Sequence, residues 1–223
     1  MQKYDVRQMP EPLPPAIVEK LMKVETATLG HFRHHGFMHH SMRPLLDRKV
    51  VGCAVTIAIP GADSTLLHHA LGLARPGDFF IIDRLGDERH ACWGGGVSRA
   101  AMAAGIVGAA LDGPCTDPGE IREGGFPLWC RGVSPITTRI YDLGGAMNVP
   151  VACAGAAVSP GDIVIADDSG VVVIGRHEAD AIADHALERQ ARGEKTQVRV
   201  RSGEKLGDIS GATAKVLAAL AQG

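Results

Sequence analysis

The feature that most constrains the fold of this chain is the distribution of its apolar residues. They occur in short runs bounded by Gly and Pro, such as Val50–Ile59, 79–82 and 106–111. Runs of this length and composition predict buried strands. Segments with helical spacing lie between them, such as 64–74 and 94–105. Short strands that alternate with helices in this way predict a mixed α/β layered domain.

A short turn motif occurs twice. Pro76 and Pro160 each begin the sequence Pro-Gly-Asp, followed by four mostly apolar residues and a second Asp. Proline presets φ and glycine permits a positive φ, so each motif predicts a tight turn that leads into a buried strand. The flanking sequences differ, so we interpret the motif as the same turn used twice within one sheet system and not as an internal duplication of the chain. Residues 167–170 predict a hairpin turn between the apolar runs of 163–174.

The ends of the chain have a different composition. Residues 1–15 are polar and then Pro-rich, which predicts an extended arm without the apolar segment of a secretory signal. Residues 16–32 predict one helix and 178–192 another, whereas 193–210 predict a polar loop or weak strand before a last helix. We therefore divide the chain into an arm, a catalytic domain and a C-terminal extension with a helix: 1–15, 16–192 and 193–223.

Charge and cysteine content exclude several classes of protein. The net charge is −2, which gives no electrostatic argument for binding nucleic acid or an anionic membrane. No apolar run approaches the length of a transmembrane helix. The five cysteines form an odd number and contain no CxxC pair. This pattern predicts reduced thiols in a cytoplasmic protein.

The glycines before the helix of 94–105 are the first candidate binding element. Gly94, Gly95 and Gly96 place backbone N–H groups at a helix N-terminus, which suits a carboxylate or an enolate oxygen. The same glycines would also let the helix pack close to a neighbour, and the sequence leaves both interpretations open. The chain contains neither GxxxxGK nor GxGxxG after a strand, which argues against a nucleotide site.

Lysine is absent between Lys49 and Lys195. A Schiff-base aldolase or decarboxylase needs a buried lysine amine, so the central region does not support that chemistry. Carbanion chemistry there would require a metal ion instead. No GxSxG motif occurs, so a serine hydrolase is also poorly supported.

Two aspartates near the end of the run 106–111 are candidate metal ligands. Asp112 follows the run directly and Asp117 lies in the next loop. Mg²⁺ typically takes one or two carboxylates and keeps several waters. The alternative for Asp117 is that it caps the helix expected to begin near Pro118.

Histidines are concentrated in two places. Five of them fall within 31–40, and His31 and His35 have the spacing of two ligands on one helical face. Gly36 interrupts that face, so the sequence favours a solvated or subunit-contacting segment. His68 and His69 lie within the predicted helix of 64–74, and we expect one of them to face the core.

Several segments in order resemble the RraA-like family. They are PGADSTLLHHAL, ARPGDFFIIDRLGD, ACWGGGVSRAAMAAGIVGAALDG, TDPGEIREGGFPLWCRG and NVPVACAGAAVSPGDIVIADDSGVVVI. That family contains the regulator of ribonuclease E activity and the metal-dependent 4-hydroxy-4-methyl-2-oxoglutarate aldolases, which also decarboxylate oxaloacetate. The resemblance covers roughly residues 16–190. It implies a three-layer swivelling β/β/α domain, assembled as trimers or dimers of trimers with sites between subunits.

The resemblance also implies roles for individual residues. The family's glycine loop, whose backbone amides hold the substrate, matches Gly94–Val97, with Gly95 in place of the usual acidic residue. Asp117 matches the ligand of a divalent ion, Mg²⁺ or Mn²⁺. Thr116 stands where the aldolases have an arginine that contacts the substrate carboxylate and the developing enolate.

Replacement of this arginine by Thr116 removes a permanent charge and a planar bidentate donor. Three alternatives follow: the substrate differs from that of the aldolases, another cation substitutes, or the chain is not an aldolase. Arg122 is nearest in sequence among the candidate substitutes, which are Arg84, Arg89, Arg122 and Arg131.

The function expected from these residues is a divalent-metal-dependent lyase. Its substrate would be a small 2-oxo or hydroxylated carboxylic acid, cleaved through a metal-stabilised enolate, with substrate choice altered by Thr116. The first alternative is a non-catalytic regulator that binds a protein partner such as a ribonuclease. The second is another enzyme class on the same scaffold.

Overall fold

The computed structural model describes residues 2–222, so one residue of the predicted arm and one of the predicted C-terminal extension lie outside it. The chain forms two compact units, the first ending at Ala183 and the second beginning at Asp184. The strands, all in the first unit, are β1 (Tyr4–Val6), β2 (Arg43–Pro44), β3 (Val50–Ala58), β4 (Asp78–Asp83), β5 (Gly108–Leu111), β6 (Leu128–Cys130), β7 (Gly145–Met147), β8 (Val151–Cys153), β9 (Ala156–Val158), β10 (Ile163–Ala166) and β11 (Val171–Ile174).

The helices of the first unit are short, and one longer helix continues beyond it. They are α1 (Pro15–Leu21), α2 (Thr26–Leu29), α3 (Thr65–Leu71), α4 (Gly95–Ala103), α5 (Pro118–Gly124) and a 3-10 turn (Arg176–Glu178). Helix α6 (Ala179–Arg201) begins in the first unit and ends in the second, which also contains α7 (Leu206–Ser210) and α8 (Ala212–Leu220). The predicted mixed α/β class is confirmed.

Four parallel strands form the centre of the main sheet. Strands β3, β4, β5 and β6 are adjacent in that order. Strand β10 pairs antiparallel with the first residues of β3, and β7 pairs antiparallel with the last residues of β3. Strands β1, β2 and β11 extend the sheet further. Because parallel neighbours point the same way, β4, β5 and β6 end at one edge of the sheet, and the loops that follow them meet there.

The sheet is covered on both faces, as its nearly continuous apolar strands require. Phe80 and Ile82 of β4 pack toward α3, α4 and α5 in one buried cluster. Phe79 and Ile81, which alternate with them, pack toward the β8–β9 hairpin in a second cluster. The layers are therefore helices, main sheet and a smaller β layer, which confirms the predicted β/β/α arrangement.

Both Pro-Gly-Asp motifs form the predicted turns. Gly77 and Gly161 have φ angles of 90° and 88°, and each turn leads into a strand, β4 or β10. The aspartate of each motif accepts a hydrogen bond from a backbone N–H three residues earlier. Asp78 binds the N–H of Arg75, and Asp162 that of Ser159, both at 2.8 Å. The two turns are thus closed in the same way.

The prediction of a single helix over 16–32 is wrong, because α1 and α2 are separate. Helix α2 begins where Thr26 meets the buried Asp167. The Asp167 carboxylate accepts the Thr26 N–H at 2.8 Å and the Thr26 hydroxyl at 2.5 Å. This contact between distant parts of the chain satisfies the polar groups at the start of α2 and fixes the break.

The prediction of a loop or weak strand over 193–210 is also wrong. Helix α6 continues to Arg201, and α7 follows it. The segment is polar, but it is rich in Glu, Lys, Gln and Arg, which favour helices. Among the described residues, no helix has both the length and the apolar character needed to cross a membrane.

Asp63 anchors the extended segment 137–143 against the rest of the first unit. Its side chain is buried, and its carboxylate accepts four hydrogen bonds: from the Thr65 N–H and hydroxyl at 3.0 and 2.6 Å, and from the Tyr141 and Leu143 N–H groups at 2.9 Å. Burial alone would raise the pKa of Asp63, but these hydrogen bonds lower it to about 2. The ionised carboxylate is therefore a structural element.

We expect Asp63→Asn to lower the free energy of unfolding by about 2–4 kcal/mol, because an amide cannot accept all four donors. In the wild-type protein the contribution of ionised Asp63 is complete above the unfolded-state pKa of about 4. It is lost as the pH falls through the folded-state pKa of about 2. Urea unfolding between pH 2 and 7 measures this, with the exposed Asp168→Asn as control. Equal losses in both variants would contradict the assignment.

Candidate active site

The glycine segment at the start of α4 presents free backbone amides. Gly94 is extended, with φ −145° and ψ −166°, and α4 begins at Gly95. The Gly95 N–H donates to Asp117 Oδ2 at 3.3 Å. Within residues 2–222, the N–H groups of Gly96 and Val97 have no hydrogen-bond partner, and neither residue is buried. Two accessible N–H groups at the start of a nine-residue helix can bind an oxyanion.

Thr116 and Asp117 lie directly against this segment. The Thr116 N–H donates to the Trp93 carbonyl at 2.8 Å, which ties the loop after β5 to the residue before Gly94. Asp117 has a left-handed backbone, with φ 51° and ψ 45°. This conformation is uncommon for a non-glycine residue and is enriched at functional sites.

Asp117 occupies the N-cap position of α5, but its side chain makes no capping hydrogen bond. The capping interpretation is therefore wrong. The carboxylate instead accepts the Thr116 hydroxyl at 3.2 Å and the Gly95 N–H at 3.3 Å. Both distances are long for hydrogen bonds to a carboxylate, and the residue is exposed, so its oxygens remain available to a ligand.

The two segments approach each other closely because the glycines have no side chain. A Cβ at Gly94 would lie 2.6 Å from Asp117 Oδ2 and 2.7 Å from Thr116 Cγ2. A Cβ at Gly95 would overlap the Glu120 carboxylate, whereas one at Gly96 would meet nothing within 4 Å. Both interpretations of the glycines therefore apply: they permit close packing, and they leave amides exposed at the packed edge.

The structure adds two residues that the sequence analysis missed, Arg99 and Glu120. Arg99 lies one helical turn after Gly95, and its Nη1 is 2.9 Å from Glu120 Oε2. Both side chains are more than half exposed. They line a cavity of about 360 Å³ together with Gly95, Ser98, Met102, Glu123 and Gly124. The only signal in the sequence was helical spacing, four residues from Gly95 to Arg99 and three from Asp117 to Glu120.

The four arginines proposed as substitutes contact other residues or line another cavity. Arg84 is fully buried, and its Nη2 donates to the carbonyls of Gly61 and His90. The Arg122 Nε donates to the Leu45 carbonyl at 3.3 Å. None of these partners belongs to the glycine segment or to the Thr116–Asp117 pair.

Arg89 and Arg131 line a different cavity, of about 580 Å³, with Ser41, Glu88, Gly113, Pro114, Gly132, Val133 and Ser134. Arg131 is also paired with Asp112, whose other oxygen accepts the Ala154 N–H at 2.6 Å. Leu111 packs on the helix face of the sheet, so Asp112 points to the opposite face. Asp112, the other proposed metal ligand, is thus held in a structural ion pair.

The donors near Asp117 suit only a largely hydrated ion. No group of three or more His, Cys, Asp or Glu side chains among the described residues could enclose a metal. One accessible carboxylate with weakly held oxygens fits Mg²⁺ or Mn²⁺, which keep most of their waters. Residues that would hold such an ion are Asp117 and, through water, Glu120.

Among residues 2–222, the histidines do not form a metal site with other His, Cys, Asp or Glu side chains. His39 Nδ1 lies 3.0 Å from Ser41 Oγ, and the rings of His39 and His40 contact edge to face at 4.0 Å. His68 and His69 are both exposed on α3, so the expectation that one faces the core is wrong. Leu66, Leu67 and Ala70 fill that face instead.

Comparison with known proteins gives consistent results. Residues 16–173 match the family model described as RraA-like, Aldolase/RraA. A Halalkalibacterium halodurans protein named "Putative 4-hydroxy-4-methyl-2-oxoglutarate aldolase" is 32% identical over 155 residues, 69% of this chain and 73% of that protein. A 4-hydroxy-4-methyl-2-oxoglutarate aldolase from Thermus thermophilus is 28% identical over 112 residues, 50% of this chain and 68% of the relative.

A solved structure is similar over most of both chains. RraAS2 from Streptomyces coelicolor, described as an unusual member of the RNase ES inhibitor RraA protein family, superposes with a TM-score of 0.76. It is 30% identical, and the match covers 85% of this chain and 99% of that one. RraA from Thermus thermophilus, described as an RNA-processing inhibitor, matches with a TM-score of 0.62 and 23% sequence identity. The match covers 68% of this chain and 93% of that one, and it supports the fold alone.

The close approach at Gly94 leads to a pair of opposite expectations. Gly94→Ala should lower the free energy of unfolding by about 1–3 kcal/mol, because its methyl group overlaps Asp117 and Thr116. Gly96→Ala should leave stability unchanged or raise it by up to about 1 kcal/mol, since it adds a helix-favouring residue in open space. Urea unfolding of both variants checks this. Equal effects at the two positions would show that the 94–117 contact is not tight.

Proposed function

The chain belongs to the RraA-like family, and from this membership we propose that it is a divalent-metal-dependent lyase. Its substrate is a small 2-oxo or hydroxylated carboxylic acid, and the reaction breaks a carbon–carbon bond. The observation that carries the proposal is the juxtaposition of free amides at Gly96 and Val97 with the accessible carboxylate of Asp117. An aldolase name on the 32%-identical relative supports the same reaction class.

The glycine segment binds the acid in this proposal. The Gly96 and Val97 N–H groups donate to the substrate carboxylate, and the positive end of α4 favours its charge. Because these amides are fixed by the helix, they do not reorganise when negative charge develops on the substrate.

Asp117 would hold the divalent ion, with water completing its coordination. When bound, the ion acts as a Lewis acid that polarises the 2-oxo group and stabilises the negative charge left by bond cleavage. The Thr116 hydroxyl donates to Asp117 Oδ1 and orients the carboxylate. Thr116 thus acts on the ligand of the ion, whereas an arginine at this position would act on the substrate.

Arg99 supplies a cation at the edge of this site. Its guanidinium forms an ion pair with the Glu120 carboxylate at 2.9 Å, and this pairing partly neutralises its charge. It therefore replaces an unpaired arginine only in part. A site of this charge favours a monocarboxylate or a small hydroxylated acid over a doubly charged 2-oxo diacid.

The alternative function is that of a non-catalytic regulator that binds a protein such as a ribonuclease. The similarity to RraAS2 across 99% of that chain is the observation in its favour. A regulator would not need an accessible carboxylate beside free amides, so metal binding at Asp117 distinguishes the two proposals.

Assembly into trimers or dimers of trimers, with sites between subunits, is part of the proposal. Large apolar side chains are exposed on one extended segment of the first unit, including Val133, Ile140, Tyr141 and Leu143, each more than half exposed. Such a patch is typical of a contact between subunits. We also propose a cytoplasmic location, where the five unpaired cysteines stay reduced.

Activity should depend on the ion and on Asp117. We expect a screen of 2-oxo and hydroxylated acids, with pyruvate release as readout, to reveal turnover with Mg²⁺ or Mn²⁺ that EDTA abolishes. Asp117→Asn should reduce it by about a hundredfold or more, because the neutral amide holds the ion poorly. Asp168→Asn, another exposed aspartate, should be unaffected. Turnover that survives both EDTA and Asp117→Asn would contradict the metal mechanism.

Substrate choice should respond to residue 116. Wild-type protein should act weakly on oxaloacetate and on 4-hydroxy-4-methyl-2-oxoglutarate, and Thr116→Arg should improve both, by up to about a hundredfold. If the wild type already turns over these diacids at about 1 per second or faster, another arginine supplies the charge. Arg99→Ala, compared with Arg122→Ala, then identifies it. Fast wild-type turnover of these diacids would in either case contradict the substrate argument.

A further inference from the structure

Two cysteine side chains meet beside the loop that carries Thr116 and Asp117. The Sγ atoms of Cys115 and Cys130 are 3.6 Å apart, and both residues are buried. The other three cysteines, Cys53, Cys92 and Cys153, are also buried and unpaired, and no sulfur–sulfur contact is recorded for them in residues 2–222. The Cys115–Cys130 pair is therefore distinguished by proximity and not by burial.

The two partners differ in how firmly the fold holds them. Cys130 is the last residue of β6 and is paired with Leu111 of β5 on one side and with Arg43 of β2 on the other. Cys115 lies in the loop after β5, immediately before Thr116 and Asp117, and is held on one side only, by a single bridge to Val133. Any movement that brings the two sulfur atoms together therefore falls mainly on the loop that carries the candidate site.

We propose that Cys115 and Cys130 form an oxidisable dithiol that closes to an intramolecular disulfide on reaction with a peroxide, and that closure displaces Thr116 and Asp117. The first part stands on the sulfur contact alone. The consequence for activity rests on the proposed function.

The reaction balances with hydrogen peroxide as oxidant. The thiolate of one cysteine attacks a peroxide oxygen, the O–O bond breaks, and a sulfenic acid and hydroxide form. The second cysteine then attacks the sulfenic sulfur, the S–S bond forms, and the oxygen leaves as water. In total, two thiols and one hydrogen peroxide give one disulfide and two waters. The two sulfurs together lose two electrons, which the peroxide oxygens take up.

Closure requires a specific displacement. A disulfide has an S–S bond of about 2.05 Å, so the sulfur atoms must approach by roughly 1.5 Å from their contact distance. Cys115 is connected through its N–H to the Gly132 carbonyl at 2.9 Å, and Thr116 through its N–H to the Trp93 carbonyl at 2.8 Å. A shift of Cys115 strains both bonds. Because Gly94 leaves no spare space against Asp117, the displaced carboxylate loses its contact with the Gly95 N–H.

Burial determines the rate of this reaction. Both sulfur atoms are screened by the fold, so oxidation waits for local opening of the 112–117 loop. The buried Cys92 has the same protection but no sulfur partner. It is therefore the matched control for access of peroxide to the interior.

The sequence allows a direct test of the disulfide. Trypsin cleaves after Arg99, Arg122 and Arg131, so Cys115 and Cys130 fall in adjacent peptides, 100–122 and 123–131. Reduced full-length protein is treated with hydrogen peroxide, alkylated with N-ethylmaleimide without reduction, digested and analysed by mass spectrometry. We expect the two peptides linked with loss of two hydrogen atoms, and separation of the link by dithiothreitol. Cys92 should remain alkylatable when the protein is unfolded.

Variants keep the interpretation clear. Cys130→Ser and Cys130→Ala should each abolish the link, whereas Cys92→Ser should leave it intact. Urea unfolding confirms that each variant is folded before oxidation. A disulfide that involves any other cysteine would overturn the proposal. So would conversion of Cys115 and Cys130 to sulfinic acids without a link, or Cys92 reacting while the pair does not.

The displacement is measured separately. Amide hydrogen exchange of the 112–117 loop should be faster in the oxidised protein, and dithiothreitol should reverse the change. Mn²⁺ affinity should fall by about tenfold or more on oxidation, as for loss of a contact that orients a metal ligand. Exchange that is unchanged in the linked protein would overturn the coupling. Absence of Mn²⁺ binding in the reduced protein would count against the proposed function, while hydrogen exchange would still decide the displacement.

Discussion

The contact between Gly94 and the Thr116–Asp117 pair is the constraint on which the candidate site depends. The parallel order of β4, β5 and β6 brings the loops after these strands to one edge of the sheet. There the Thr116 N–H bonds the Trp93 carbonyl at 2.8 Å, and the missing side chain of Gly94 lets the two loops meet. The Asp117 carboxylate thereby lies within hydrogen-bond range of the Gly95 N–H, next in sequence to the free amides of Gly96 and Val97, an arrangement that neither loop provides alone.

Under the proposed function, this arrangement retains a site although the arginine of the aldolases is absent. Residue 116 supplies neither the free amides, which belong to Gly96 and Val97, nor the carboxylate, which belongs to Asp117. The Thr116 hydroxyl only orients that carboxylate. What changes is the charge available to a second substrate carboxylate. Arg99 is close to the glycine segment, but its pairing with Glu120 divides its charge. We therefore attribute Thr116 to a change of substrate within the proposed function, in which the metal-assisted chemistry is retained.

The parts of the structure that follow from local sequence were predictable, and those that depend on distant contacts were not. Strand β3, both Pro-Gly-Asp turns and the start of α4 follow from apolar runs and from turn residues. The separation of α1 from α2 depends on Asp167, which is remote in sequence from Thr26. Arg99 and Glu120 escaped notice because their pairing exists only once α4 and α5 are packed. The role proposed for Asp117 rests on the family resemblance, since its position before Pro118 also fits a helix cap.

The most direct test of the account is the coordination of Mn²⁺, observed by electron paramagnetic resonance with and without oxalate, a planar dianion that resembles the enolate of pyruvate. The account predicts one Mn²⁺ per chain, held largely through water, whose spectrum changes when oxalate replaces some of these waters. Asp117→Asn should lose both the bound ion and the oxalate effect. A protein that binds no Mn²⁺, or binds it with the same oxalate response after Asp117→Asn, would contradict the account.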